Sequence, residues 1–120
     1  MRTRTRALLA CMASAALPLP ARADALALPS VIPAATIEDF VEAGMSSQHL
    51  RIGGREFVFV VRDYGSGVPL QELYVYAAMG DDLTLSAFAR TTCDKLVPRV
   101  DGTRLVVRCG RKQVLVLDLN

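Results

Sequence analysis

The chain has no tryptophan and one histidine among its 120 residues, with three tyrosines, four phenylalanines and three cysteines. Each shortage closes off some chemistry. A zinc site draws on several nitrogen or sulfur ligands, and His49 beside a cysteine pair committed to a disulfide does not supply them. The same lone histidine leaves a Ser-His-acid triad a single candidate base. The serine that invites it, Ser66 in the stretch YGSGV, lacks the spacing of a nucleophile elbow. There is no Cys-x-x-Cys pair, no phosphate-cradling glycine loop and no dinucleotide fingerprint. Asp81-Asp82 lacks the spaced oxygen donors of a calcium loop. Glu56, Asp63 and Glu72 could meet across strands as a glycosidase-like pair, but solvated surface charge is the ordinary fate of such residues. The expectation is a protein that is not an enzyme and carries no cofactor and no metal.

Also missing is any apolar run long enough to span a bilayer. The candidate, Ala7 to Leu19, follows Arg2, Arg4 and Arg6 and precedes Ala21-Arg22-Ala23, which puts small residues at the two positions a signal peptidase reads. Residues 1–23 therefore read as a cleaved signal peptide, and the mature chain as periplasmic or secreted. Leu8-Leu9-Ala10-Cys11 has the outline of a lipobox, but the four residues between Arg6 and Cys11 are too few for a signal core, which disfavours lipidation. The alternating arginines form no twin-arginine pair. Removing the leader takes Arg2, Arg4, Arg6 and Arg22 and no acidic residue, so 14 basic and 12 acidic side chains become 10 and 12. The basic excess belonged to the leader. What remains has no basic face interleaved with aromatics, and nucleic acid is not an expected partner.

What is present is strand pattern and turn chemistry. Residues 24–35 contain Pro29 and Pro33 without helical period and read as an extended arm. Thr36-Ile37-Glu38-Asp39 has the form of a capping box, Ile37, Phe40 and Val41 share one face, and Gly44 can end a short helix. From Gln48 onward the period is that of strands. Gly53-Gly54 turns the chain into Arg55 to Tyr64, apolar on both faces at its middle and so expected in the interior of a sheet. After the turn-forming loop Gly65 to Pro69, Leu70 to Ala78 places Leu73, Val75 and Ala77 on one face and Tyr74 and Tyr76 on the other. Met79 to Asp82 turns back into Leu83 to Arg90, where Leu83, Leu85, Ala87 and Ala89 alternate with Thr84, Ser86 and Phe88.

The last stretch, Cys93 to Leu119, organises the rest. Asp101-Gly102 is hairpin chemistry. A two-residue loop of Asp101 and Gly102 would leave Cys93 one step out of line with Cys109. A three-residue loop Val100-Asp101-Gly102 would set Arg99 opposite Thr103, Cys93 opposite Cys109 and Asp94 opposite Arg108, and is preferred for the disulfide and the charge pair it allows. Pro98 suits an edge strand, and Gly110-Arg111-Lys112 leads into a final strand. The expected fold is mainly β with one short N-terminal helix (α+β): an antiparallel meander of six or seven strands closing into a small sandwich, barrel or curved sheet, stapled by Cys93–Cys109, with residues 36–120 as one domain.

For function, the expectation is a protein-binding module of the cell envelope, an inhibitor or immunity-type protein acting through a loop. Tyr64, Gly65, Ser66, Gly67, Tyr74 and Tyr76 are the candidate contact residues, since tyrosines beside a glycine loop offer large contact area at low entropy cost. For Tyr74 and Tyr76 the competing reading is that they simply cover one side of the sheet. The Leu96 to Val100 edge is a second candidate surface. The alternatives are a structural or assembly accessory of an envelope complex, docking by its arm or an edge strand, and a small-ligand carrier with a hollow barrel. The expected partner is another envelope protein, not a nucleic acid, with the membrane needed only for export.

Overall fold

The computed structural model describes residues 27–64 and 70–120. The expected leader and its cleavage point, and the contact candidates Gly65, Ser66 and Gly67, lie outside the described residues. The elements run in the order β1 (Val31–Pro33), α1 (Thr36–Glu42), β2 (Ser46–Ile52), β3 (Arg55–Asp63), β4 (Gln71–Met79), β5 (Asp82–Thr91), β6 (Leu96–Asp101), β7 (Arg104–Cys109) and β8 (Lys112–Asp118). They form two antiparallel sheets: a five-stranded sheet ordered β1-β5-β4-β3-β2 and a three-stranded sheet ordered β6-β7-β8. The fold is mainly β, as the strand periodicity requires.

Two cores lie on opposite faces of the five-stranded sheet, and the alternation of β3 and β4 decides which residue goes where. Phe57, Phe59, Leu73, Val75 and Ala77 point toward the three-stranded sheet, where Ile52, Leu105, Val107 and Leu115 complete one apolar cluster. Val58, Val60, Tyr74 and Tyr76 point the other way and pack with Ile32, Ile37 and Leu83 beneath the arm and helix. Because both faces of β4 are covered, Gln71 through Ala77 are buried without interruption. Burying such side chains contributes roughly 1.5–3 kcal/mol each relative to exposure.

The arm belongs to the domain. Val31, Ile32 and Pro33 pair with Thr84, Leu83 and Asp82, and the Leu85 amide donates to the Ser30 carbonyl at 2.7 Å. Val31–Pro33 is thus an edge strand, and Pro33 takes a place where a missing amide is tolerated. The helix starts differently from the capping-box expectation: Thr36 is its first residue, Ala35 precedes it in helical geometry, and no side chain caps the amides. Its end is as read. Gly44 adopts φ +99°, its amide donates to Val41 and that of Met45 to Phe40, the paired bonds of a Schellman closure. Val41 is exposed rather than packed; Ile37 is buried and Phe40 packs against the same cluster.

Two registers depart from simple alternation. Between β4 and β5, Val75 faces Ala87 and Tyr76 faces Leu85, so Ser86 is an extra residue, a β-bulge. The bulge divides what reads as one apolar face: Ala87 and Ala89 pack toward the three-stranded sheet, Leu83 and Leu85 toward the tyrosines. In the β6–β7 hairpin the loop is Gly102-Thr103, with Asp101 facing Arg104 and Leu96 facing Cys109. Neither register expected from Asp101-Gly102 forms, and Cys93 does not lie opposite Cys109, nor Asp94 opposite Arg108. Against the three-residue loop the reason is burial. The observed register aligns Leu96, Pro98 and Val100 with Cys109, Val107 and Leu105 on the inner face, whereas the three-residue loop would have turned Lys95 inward opposite Val107 and Arg99 inward opposite Thr103. A register slip of one residue reverses every side chain.

The turns share one device. In all four two-residue hairpin loops glycine takes the first position with φ near +60°: Gly53, Gly80, Gly102 and Gly110. At Gly53 the requirement is double, because an added Cβ would also lie 3.2 Å from Thr103 Cγ2. There the Gly53 amide donates to the Gly102 carbonyl at 2.8 Å, tying the two sheets at one end.

Cys93 lies before β6 and reaches back to Cys109, with their Cα atoms 6.1 Å apart and a sequence separation of 16. A cross-link of that span removes about 3 kcal/mol of unfolded-state chain entropy. Replacing both cysteines by serine is expected to cost about that much stability, read as a lower urea midpoint in equilibrium unfolding; an unchanged midpoint contradicts the staple.

Candidate functional site

A charged ladder crosses three strands where β3 ends and β4 begins. Arg62 on β3 faces Glu72 on β4, and Glu72 faces Arg90 on β5. All three lie on the tyrosine face. The Glu72 side chain is fully buried, those of Arg62 and Arg90 only partly. Arg62 donates to Glu72 Oε1 from Nε at 3.0 Å and from Nη2 at 2.6 Å, Arg90 Nε donates to Oε2 at 3.0 Å, and the Tyr74 hydroxyl donates to Oε1 at 2.7 Å. An isolated buried carboxylate costs several kcal/mol, so these partners are the condition for its being there. Burial pushes the Glu72 carboxyl up, but the hydrogen bonds from Tyr74, Arg62 and Arg90 outweigh it and hold the pKa below the usual glutamate value.

The cluster extends in two directions. Arg62 Nη2 donates to the Tyr64 hydroxyl at 3.0 Å while its guanidinium lies 5.2 Å from the centre of the Tyr64 ring. The Tyr64 amide donates to the Leu70 carbonyl at 3.1 Å, closing the base of the intervening segment. On the other side, the Tyr74 hydroxyl accepts from the Leu28 amide at 3.3 Å and the Tyr76 hydroxyl donates to the Pro29 carbonyl at 2.9 Å. Both phenols are pushed up to about 12. Burial is the main cause for each, and at Tyr74 the hydrogen bond to Glu72 adds to it.

Of the contact residues read from the sequence, Tyr74 and Tyr76 are in the core, 1% and 0% exposed, holding the arm down rather than facing a partner. The alternative in which they cover one side of the sheet describes them. Tyr64 is half-buried at the rim. His49 lies on β2 along an open depression of about 330 Å³ that also touches Ile37, Glu38, Glu56, Val58 and Leu83. Glu56 pairs with Arg51 at 3.2 Å, Glu72 is enclosed by its arginines, and strand alternation puts Asp63 on the opposite face, so the three carboxylates form no pair. Among the described residues no group of three His, Cys, Asp or Glu is placed to hold a metal ion, and no helix is long and apolar enough to cross a membrane.

Sequence reasoning missed the ladder. Counting back from the Met79–Asp82 turn without a bulge sets Glu72 opposite Ala89; only the extra residue at Ser86 brings Arg90 into line. The chain matches no known family model, no curated protein and no solved structure.

Two outcomes follow. Glu72 has a depressed pKa when folded, so its contribution to stability is present above the unfolded value of 4.5 and is lost as pH falls through the folded one. Glu72→Gln should therefore flatten the loss of stability below about pH 4.5, measured by urea unfolding across pH, and should itself cost about 3 kcal/mol at neutral pH by leaving two arginines without their counter-charge; a variant as acid-sensitive as the parent would contradict this. In an alkaline absorbance titration Tyr74 and Tyr76 should remain phenols until about pH 12, and ionise together with unfolding.

Proposed function

We propose that this protein is a secreted, non-enzymatic binding module that presents the segment between Tyr64 and Leu70 to another protein of the cell envelope, as an inhibitor or immunity-type protein would. The observation that carries the reading is the fixing of both ends of that segment: Arg62 and Glu72 join the strands leading in and out of it, and the Tyr64 amide bonds the Leu70 carbonyl. A contact loop on a rigid base loses less entropy on binding. The Cys93–Cys109 disulfide fits an oxidising compartment, and the residues before Asp24 fit export to one.

The accessory reading has less to draw on, because Ser30 to Ala34 are already engaged with β5 and its turn; docking by the arm would first have to strip it from its own sheet. Carriage of a small ligand needs a hollow interior, and the space between the sheets is filled by Ile52, Phe57, Leu73, Leu105 and Val107, each no more than 1% exposed.

The test is a pull-down from envelope extract with the mature chain tagged at Asn120, run beside Tyr64→Ala. One stoichiometric partner is expected, with recovery by Tyr64→Ala reduced roughly tenfold, as for loss of a contact residue worth about 1.4 kcal/mol. Undiminished recovery, or no partner, overturns the reading.

A further inference from the structure

We propose that the outer face of the β6-β7-β8 sheet is a second interaction surface, built to receive an acidic protein surface. Its inner face is committed to the core, so packing places no demand on the residues that point outward. Those residues are Val97 and Arg99 on β6, Arg104, Val106 and Arg108 on β7, and Gln113 and Val116 on β8, with Asp101 and Asp118 at the turn end. Val97 and Val116 are 61% and 42% exposed, and Val106 lies beside Val116 and Arg99 in register. The result is a short apolar strip flanked by arginines, beside a depression of about 250 Å³ lined by Arg99, Arg104, Arg108, Val106, Asp101 and Gln113. Arginine is enriched at protein interfaces relative to the rest of the surface.

Among the described residues, two of the three arginines at this face have no carboxylate opposite them. Arg104 has Asp101 and Asp118 directly opposite, but Arg99 faces Val106, and Arg108 faces Val97 and Gln113. No ion pair among the described residues involves Arg99, Arg104 or Arg108.

The charge of the whole layer points the same way. Residues 93–120 carry Lys95, Arg99, Arg104, Arg108, Arg111 and Lys112 against Asp94, Asp101 and Asp118. On the other side of the five-stranded sheet, α1 carries Glu38, Asp39 and Glu42 and no basic residue. A chain with little net charge is thus basic on one outer layer and acidic on the other. Such a field steers an acidic partner toward the three-stranded sheet and away from the helix. The face has no aromatic side chain to anchor at a bilayer interface or stack on bases, which favours protein over membrane or nucleic acid.

Fluorescently labelled poly-L-glutamate, an acidic polypeptide without a fold of its own, is the probe, titrated by anisotropy with the full mature chain at low and physiological ionic strength. The wild type is expected to bind with an affinity that falls as salt rises. Arg99→Glu with Arg108→Glu should weaken it at least roughly tenfold. Glu38→Lys with Glu42→Lys, on the opposite layer, should not weaken it. Thermal melts establish that each variant folds, and Arg108→Gln, a milder change at an exposed position, serves if the double reversal does not. Equal binding by the arginine variants overturns the proposal, as does tighter binding to phosphatidylglycerol vesicles or single-stranded DNA than to polyglutamate. Tyr64→Ala should bind polyglutamate as the wild type does, so failure of this face and failure of the loop reading are separate results.

Discussion

Glu72 sits without solvent exposure near the start of β4, the central strand of the five-stranded sheet, and much of the molecule is arranged so that its charge can be there. Arg62 and Arg90 must arrive from the two neighbouring strands at the same level, which fixes the register of β3, β4 and β5 together. Tyr74 donates to the same carboxylate and accepts from the Leu28 amide, so the constraint passes from the sheet to the arm. Slipping any one strand would leave a buried charge with fewer partners, at a cost of several kcal/mol. An apolar contact at this level would tolerate a slip far more easily. A buried ion cluster is poor evidence for stability as such; here its effect is to make one arrangement of three strands much better than its neighbours.

The disulfide acts on the other sheet in a different way. The β6-β7-β8 sheet packs on the rest through the apolar cluster and the Gly53–Gly102 turn contact. Cys93 lies just past the end of β5 and Cys109 at the end of β7, so the bond ties the exit of the large sheet to the middle strand of the small one. Ladder and disulfide therefore hold different parts of the sandwich. Both leave their outward surfaces free: the rim at Tyr64 in one case, the arginine-flanked valines in the other.

Much of the architecture was legible residue by residue. The apolar runs on both faces of Arg55–Tyr64 announced an interior strand, Pro98 announced an edge and Gly44 announced the helix end. The misreadings came where two residue types compete for one place. Asp101-Gly102 suggested a loop that would keep the cysteines in line, but glycine takes the first position in each two-residue hairpin loop among the described residues, and moving Arg99 and Lys95 inward would have cost more than displacing Cys93. The candidate site was legible only in part. Tyr74 and Tyr76 looked like contact residues because sequence gives the face of a strand and not what covers it; residues 28–33, some forty positions away, are what cover it.

By itself the sequence determined the class of fold, the two faces of the central strands and the separation of basic and acidic residues along the chain, because each depends on local period or composition. The tertiary structure decided the bulge at Ser86, the slip of the β6–β7 register, the capture of the arm by β5 and the meeting of Arg62, Glu72 and Arg90. Those depend on which side chains two distant segments bury together, and that is settled only when the segments pack.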